Sequence, residues 1–155
     1  MPPLLTIDAS VFVASVRPRE PGHAACRALW GILRGADVPL IEPALLPIEV
    51  AAALGRTGGT RDSVAEFVDA ILALPGLTLV PLAEGLARRA AALAAERRLR
   101  AADAVYVAVA QQYGARLVTL DGEQLARAPR DVRACRPEAA ARRLTGEPSG
   151  PFTKA

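Results

Sequence analysis

The sequence predicts an α/β protein built on a parallel sheet, and three observations carry that expectation. Short runs of Leu, Val and Ile without polar alternation recur along the chain, as strands covered on both faces require. Between them lie longer segments in which apolar residues return at the 3.6-residue spacing of a helix. Strand and helix alternate from the first residues onward, an order that produces crossovers and therefore parallel neighbours in one sheet.

Taken in order, Leu4-Leu5-Thr6-Ile7 is the first strand and stops at Asp8. Val11-Phe12-Val13 reads as a short helix ahead of the Arg17-Pro18-Arg19-Glu20-Pro21-Gly22 break. A helix follows over 22–34, then a second strand at Val38-Pro39-Leu40-Ile41. Pro43 is placed to open the next helix, where its missing N–H costs nothing, and Gly55 to close it. Thr57-Gly58-Gly59-Thr60 is a loop, with Thr60 or Asp62 capping a helix over 62–73 that ends at Pro75-Gly76. Leu77-Thr78-Leu79-Val80 is strand three. An Ala/Arg-rich helix covers 82–98 and another 102–113, closing on Gly114; Arg116-Leu117-Val118-Thr119-Leu120 is strand four, ended by Asp121. Val132-Arg133-Ala134-Cys135 is expected as a fifth, edge strand, and 137–144 as a small helix. The reading is one domain over 1–144 and a disordered Gly/Pro/Ser tail over 145–155, with no internal repeat.

Composition narrows the function. The 155 residues, 52% hydrophobic and 23% charged, suit one ordered domain that buries roughly two-thirds of its unfolded surface without disulfides. Aromatics are only 4%, so platforms for stacking bases are scarce and the core must come from Leu, Val, Ile and Ala. No apolar run approaches the roughly 18 residues of a membrane helix and no charged-then-apolar leader opens the chain, so a cytoplasmic protein without membrane contact is expected. Cys26 and Cys135 lack CxxC spacing and are read as small buried hydrophobes. With the single histidine, His23, they are too few for a four-ligand zinc site. Net charge is +3 and uneven: residues 1–80 carry −2 and residues 81–155 carry +5. That excess permits attraction to phosphate without demanding it.

Four carboxylates stand in telling places. Thr6-Ile7-Asp8 and Thr119-Leu120-Asp121 each put an acid at the carboxyl end of a buried strand, where open α/β sheets bind ligands. Either Asp alone would be as well explained as a turn or cap residue. Glu49 falls in the apolar stripe Leu46, Val50, Ala53, Leu54, and Asp103 shares a face with Tyr106, Val107 and Ala110. Inward carboxylates are costly unless paired, protonated or given a metal. Two strand ends and two inward helix positions can converge on one pocket. An all-oxygen donor set without His or Cys favours Mg²⁺ or Mn²⁺ over zinc, and the chemistry such a site serves is phosphoryl transfer.

Ile7-Asp8-Ala9-Ser10, Pro47-Ile48-Glu49-Val50, Ala101-Ala102-Asp103-Ala104-Val105-Tyr106-Val107-Ala108 and Val118-Thr119-Leu120-Asp121, in this order, resemble the PIN-domain family, specifically the VapC-type ribonuclease toxins of toxin–antitoxin pairs. The resemblance spans about residues 4–135. It implies a three-layer α/β/α sandwich around a parallel sheet of four to five strands. It also implies a Mg²⁺- or Mn²⁺-dependent endoribonuclease with Asp8, Glu49, Asp103 and Asp121 as the metal-holding acidic quartet. Ser10 and Thr119 match the hydroxyl positions that support such a site. A homodimer, single-stranded RNA or tRNA as substrate and a small antitoxin that covers the pocket follow from the same resemblance. The run Gly122-Glu123-Gln124-Leu125 departs from the family's habit of a polar residue followed by an aromatic after the fourth acid.

Arg100, three residues before Asp103, is the candidate contact to a scissile phosphate; Arg17, Arg19, Arg88, Arg89, Arg97 and Arg98 otherwise read as solvated surface. A haloacid-dehalogenase-type phosphatase would need a second Asp where Ser10 stands, and a receiver domain a lysine that this chain has only at Lys154. No GxxxxGK[ST] or GxGxxG loop occurs. The rivals that remain are a catalytically inert PIN-like RNA- or protein-binding subunit and a nuclease directed at DNA.

Overall fold

Five parallel strands run in the order β3-β2-β1-β4-β5: β1 Leu5–Ile7, β2 Leu40–Pro43, β3 Leu77–Val80, β4 Arg116–Val118 and β5 Ala134–Cys135. The computed structural model describes residues 1–147. Its helices are α1 Ala9–Ser15, α2 His23–Gly35, α3 Leu46–Arg56, α4 Arg61–Leu72, α5 Glu84–Arg97, α6 Ala101–Tyr113, α7 Gly122–Arg127 and α8 Pro137–Thr145. The architecture is the expected three-layer α/β/α sandwich. Because β1 is central and the chain leaves it first toward β2 and later toward β4, the crevice of a doubly wound sheet opens at the carboxyl ends of β1 and β4.

Helix α6 is the central support of the sheet. Its residues Ala104–Ala110 are all buried, it packs against β1, β2 and β4, and α5 lies against it. α1 packs on α2 and α3, and α2 on α8. The few aromatics serve packing: Trp30 meets Phe12 and Phe67 edge-on, with ring centroids 6.1 and 5.4 Å apart. Cys26 is buried as expected, whereas Cys135, on the edge strand, is only half-buried. His23 pairs its Nδ1 with the Ala14 carbonyl oxygen, in the last turn of α1, at 2.7 Å. No described helix is long and apolar enough to cross a membrane.

Several boundaries differ from the sequence reading. β2 lies two residues later than Val38–Ile41, so Pro43 ends the strand and Pro47 takes the first-turn position of α3. β4 stops at Val118, not Leu120, because the Thr119 hydroxyl accepts the Asp121 N–H at 3.0 Å and turns the chain out of the sheet. The turn leads into α7, a helix the sequence reading lacks; its six residues are too few to display a period. Thr145 still belongs to α8, and the rest of the expected tail from 148 on falls outside the described residues.

The β2–β3 ladder begins where Gly76 passes the Val38 carbonyl: a β-carbon at Gly76 would stand 2.0 Å from that oxygen, and the Gly76 carbonyl accepts the Leu40 N–H at 2.9 Å. Gly76→Ala is therefore expected to destabilise the fold by roughly 1–3 kcal/mol, the range for forced overpacking, seen as a lowered urea midpoint with unchanged slope.

Candidate active site

Two of the four acids are set by sheet termination. Asp8 follows β1 directly, its amide donating to the Val118 carbonyl of β4 at 2.9 Å, and its Oδ2 caps α1 by accepting the Ser10 N–H at 3.1 Å. Asp121 caps α7, its Oδ1 accepting the Glu123 and Gln124 amides at 2.7 and 3.2 Å. Each Asp thus spends one oxygen on a helix N-terminus and turns the other toward the crevice, where Gln124 Nε2 meets Asp8 Oδ1 and Arg100 Nη2 meets Asp121 Oδ2. Asp103 and Glu49 stand in the first turns of α6 and α3. All four carboxylates line one cleft of about 470 Å³, together with Ser10, Arg56 and Arg100.

The Leu120 amide donates to Ser10 Oγ at 3.5 Å and the Asp121 amide to the Oγ of the wholly buried Thr119, so both hydroxyls hold the β4–α7 turn that carries Asp121, while Ser10 also lines the cleft. Arg100 spans the acids. Its Nε donates to Asp103 Oδ2 at 3.1 Å and its Nη2 to Asp121 Oδ2 at 2.6 Å, although the side chain is 71% exposed.

The PIN domain family profile matches residues 5–131, most of the chain. The chain belongs to the PIN domain family. Among solved structures, it is similar to PAE2754 from Pyrobaculum aerophilum at 23% identity, with a TM-score of 0.69 over 94% of this chain and 96% of that one. It is also similar to Mycobacterium tuberculosis VapC20, described as a sarcin-ricin loop cleaving toxin, at 22% identity and a TM-score of 0.66 over 83% and 98% of the two chains. A third, VapBC2 from Rickettsia felis bound to a DNA fragment from its promoter, aligns at 12% identity with a TM-score of 0.65 over 86% and 98%. At these identities the likeness is one of fold. No curated protein matches the sequence.

Burial is the largest influence on the acids of this PIN domain, and their mutual charge adds to it. Burial raises the Asp8 carboxyl above its ordinary range, and the Asp121 charge adds to this, against the opposing bonds from Ser10 and Gln124. Burial also raises Asp103, followed by the charges of Asp8 and Asp121, and Arg100 offsets part of the rise. Glu49 is raised by burial and by Asp8 and Asp103, with the nearby Tyr106 hydroxyl easing it. That approach is loose, since the buried Tyr106 hydroxyl closes no hydrogen bond among the described residues. Burial, then Glu49, Asp8 and Glu42, push the Tyr106 phenol far above its usual range, so it stays neutral.

Sequence reasoning missed two buried residues here. Gln124 points its Nε2 between the acids, 3.4 Å from Asp8 Oδ1 and 3.3 Å from Asp103 Oδ1. It stands in the run that departs from the family pattern, and its spacing three residues after the Asp121 cap was the available signal. Glu42, in β2, is wholly buried behind Asp8. An acid inside an apolar strand was its signal, hidden by ending that strand at Ile41.

The donors are all oxygen and carry mutually repelling charge, which suits a hard divalent cation in kind. Among the described residues, however, no three Asp, Glu, His or Cys side chains gather tightly enough to hold an ion as they stand. Arg100 and the Gln124 amide occupy the spaces between them, supplying the positive charge and N–H groups that the cluster needs.

The raised carboxyls fix the sign of a pH effect. The native state binds protons more tightly there than the unfolded chain, so this contribution to stability is present at acid pH and is lost as pH rises above about 4 through the raised native values. In EDTA, Asp8→Asn should melt at a higher temperature than the unsubstituted protein near pH 7, each kcal/mol of relief giving roughly 2–4 °C, and the gap should close toward pH 4. Asn caps helices as well as Asp, so α1 is kept. A melting-temperature series on both proteins checks the sign.

Proposed function

We propose that this PIN domain is a metal-dependent endoribonuclease, the toxin of a toxin–antitoxin pair, with Asp8, Glu49, Asp103 and Asp121 holding Mg²⁺ or Mn²⁺. The observation that carries the reading is the convergence of four carboxylates from four separate elements on one cleft at the sheet's switch point. The family match and the fold likeness to VapC20 and to VapBC2 support it. When bound, the divalent ion supplies charge neutralisation at the phosphodiester and lowers the pKa of water, so no side-chain nucleophile is required.

The chain's own residues supply position. The caps on α1 and α7 lock Asp8 and Asp121 against rotation, so their second oxygens, now met by Gln124 and Arg100, are already aimed. Asp103 is held by Arg100 and Gln124. Arg100 and Arg56, on the rim, are the cations that meet the scissile phosphate, with single-stranded RNA or tRNA as substrate. A cognate antitoxin that covers the cleft, a homodimer and a cytoplasmic site of action complete the reading.

The deciding experiment is cleavage of labelled single-stranded RNA with Mg²⁺ or Mn²⁺, beside an EDTA control. Asp103→Asn should fall to the EDTA background while keeping its circular dichroism spectrum; full activity in that variant would remove Asp103 from the site. One observation favours a second reading. The Arg100 bridge offsets part of the acids' charge without metal, as a catalytically inert RNA- or protein-binding subunit would need. Folded protein that cut neither RNA nor single-stranded DNA and bound no metal would establish that reading instead.

If Arg100 stands in for a cation, it competes with one. Arg100→Gln should tighten Mn²⁺ binding, measured by calorimetry, by roughly two- to fivefold, the scale of exposed ion pairs. The same variant should bind RNA more weakly because a phosphate contact is gone.

A further inference from the structure

Glu42 has no part in the cleft, yet it is the least ordinary residue of the sheet. It lies within β2, between β1 and β3, where a strand buried on both faces takes apolar side chains. It is wholly buried. Its Oε2 has no hydrogen-bond partner among the described residues. Leaving a carboxyl oxygen unpaired in a core is unfavourable, so the other oxygen should do something that an apolar residue cannot.

Oε1 accepts the backbone N–H of Ile7 at 2.5 Å. In a regular parallel ladder that amide would be met by a backbone carbonyl of the neighbouring strand. Here β1 and β2 pair in register only at Leu5 and Leu40. Beyond that point side chains fill the seam: the Thr6 hydroxyl donates to the Ile41 carbonyl at 2.8 Å, and Glu42 takes the Ile7 amide. On the opposite side β1 keeps full register with β4 through Ile7 and Val118, and Asp8 donates to the Val118 carbonyl. The end of β1 is therefore clamped between a backbone ladder and one carboxyl group, immediately before Asp8 leaves the sheet.

We infer that Glu42 is a positioning residue of the site: its carboxyl replaces a sheet carbonyl at the Ile7 amide, holds β1 apart from β2, and so fixes the backbone from which Asp8 enters the cleft. The inference rests on the nuclease reading for its consequence in metal binding, and on the sheet geometry alone for its consequence at Ile7.

The test uses the full chain with Glu42→Gln, which keeps an Oε1 acceptor, and Glu42→Met, which removes it at similar volume. Two readouts are taken: hydrogen exchange of the Ile7 amide by NMR, with the Leu117 amide of β4 as internal reference, and Mn²⁺ affinity by calorimetry. Glu42→Gln should stay within about threefold of the unsubstituted protein in both. Glu42→Met should exchange Ile7 at least about tenfold faster with Leu117 unchanged, and lose roughly 10- to 100-fold in Mn²⁺ affinity, the scale for residues that orient metal ligands.

A folded Glu42→Met protein that keeps Ile7 protection, or keeps Mn²⁺ affinity, overturns the inference. Should Glu42→Met not fold, Glu42→Gln decides: loss of either property overturns the inference and retention of both upholds it. Absence of Mn²⁺ binding in the unsubstituted protein overturns the nuclease reading together with this one, whereas normal binding that Glu42→Met leaves intact overturns the positioning role alone.

Discussion

Repulsion among carboxylates gathered at the carboxyl end of a parallel sheet is the constraint around which the rest of this PIN domain is arranged. Asp8, Glu49, Asp103 and Asp121 share one cleft, and burial removes the water that would screen them. The fold answers with the ends of its helices. Asp8 and Asp121 are N-caps, and Glu49 and Asp103 lie in first turns, so each acid sits at the positive end of a helix. For α1, α3 and α7 this follows from topology, since a helix that directly succeeds a parallel strand begins at the strands' carboxyl edge; α6 instead follows α5 and enters the cleft at the end of that hairpin.

The local bonds finish what the helix termini begin. Arg100 spans Asp103 and Asp121, the Gln124 amide lies between Asp103 and Asp8, and the Thr119 hydroxyl fixes the turn that leads to Asp121. Beneath them, α6 seals the sheet with an unbroken run of buried Ala, Val and Tyr side chains. The cleft is held on elements that cannot shift without opening the core, so its side chains are preorganised.

Much of this was legible in order and little of it in register. Strand–helix alternation and the Asp that ends β1 could be read because buried parallel strands are continuous apolar runs and acids stop them. The second strand is misplaced: it is expected to end at Ile41, whereas Glu42 is a buried residue of β2 whose carboxyl serves the backbone of β1, 35 positions away in sequence. Helix α7 was invisible for another reason: it is held by the Asp121 cap and by its place beside β5, and six residues carry no periodic signal. Gln124 went unseen with it.

By itself the sequence determined the fold class, the four acids and the absence of a soft-metal ligand set, since these depend on residue type and on the local periods of helix and strand. It could not determine what stands between the acids. Whether Asp8 faces a cation, an amide or another carboxylate depends on contacts spanning up to 116 positions, such as Gln124 to Asp8. Only the tertiary structure sets these distances, because they are fixed by strand order and by the splaying of β1 from β2. Hydrogen bonds require near contact and Coulombic energies depend on separation and burial, so residue types alone name the participants and packing decides their partners.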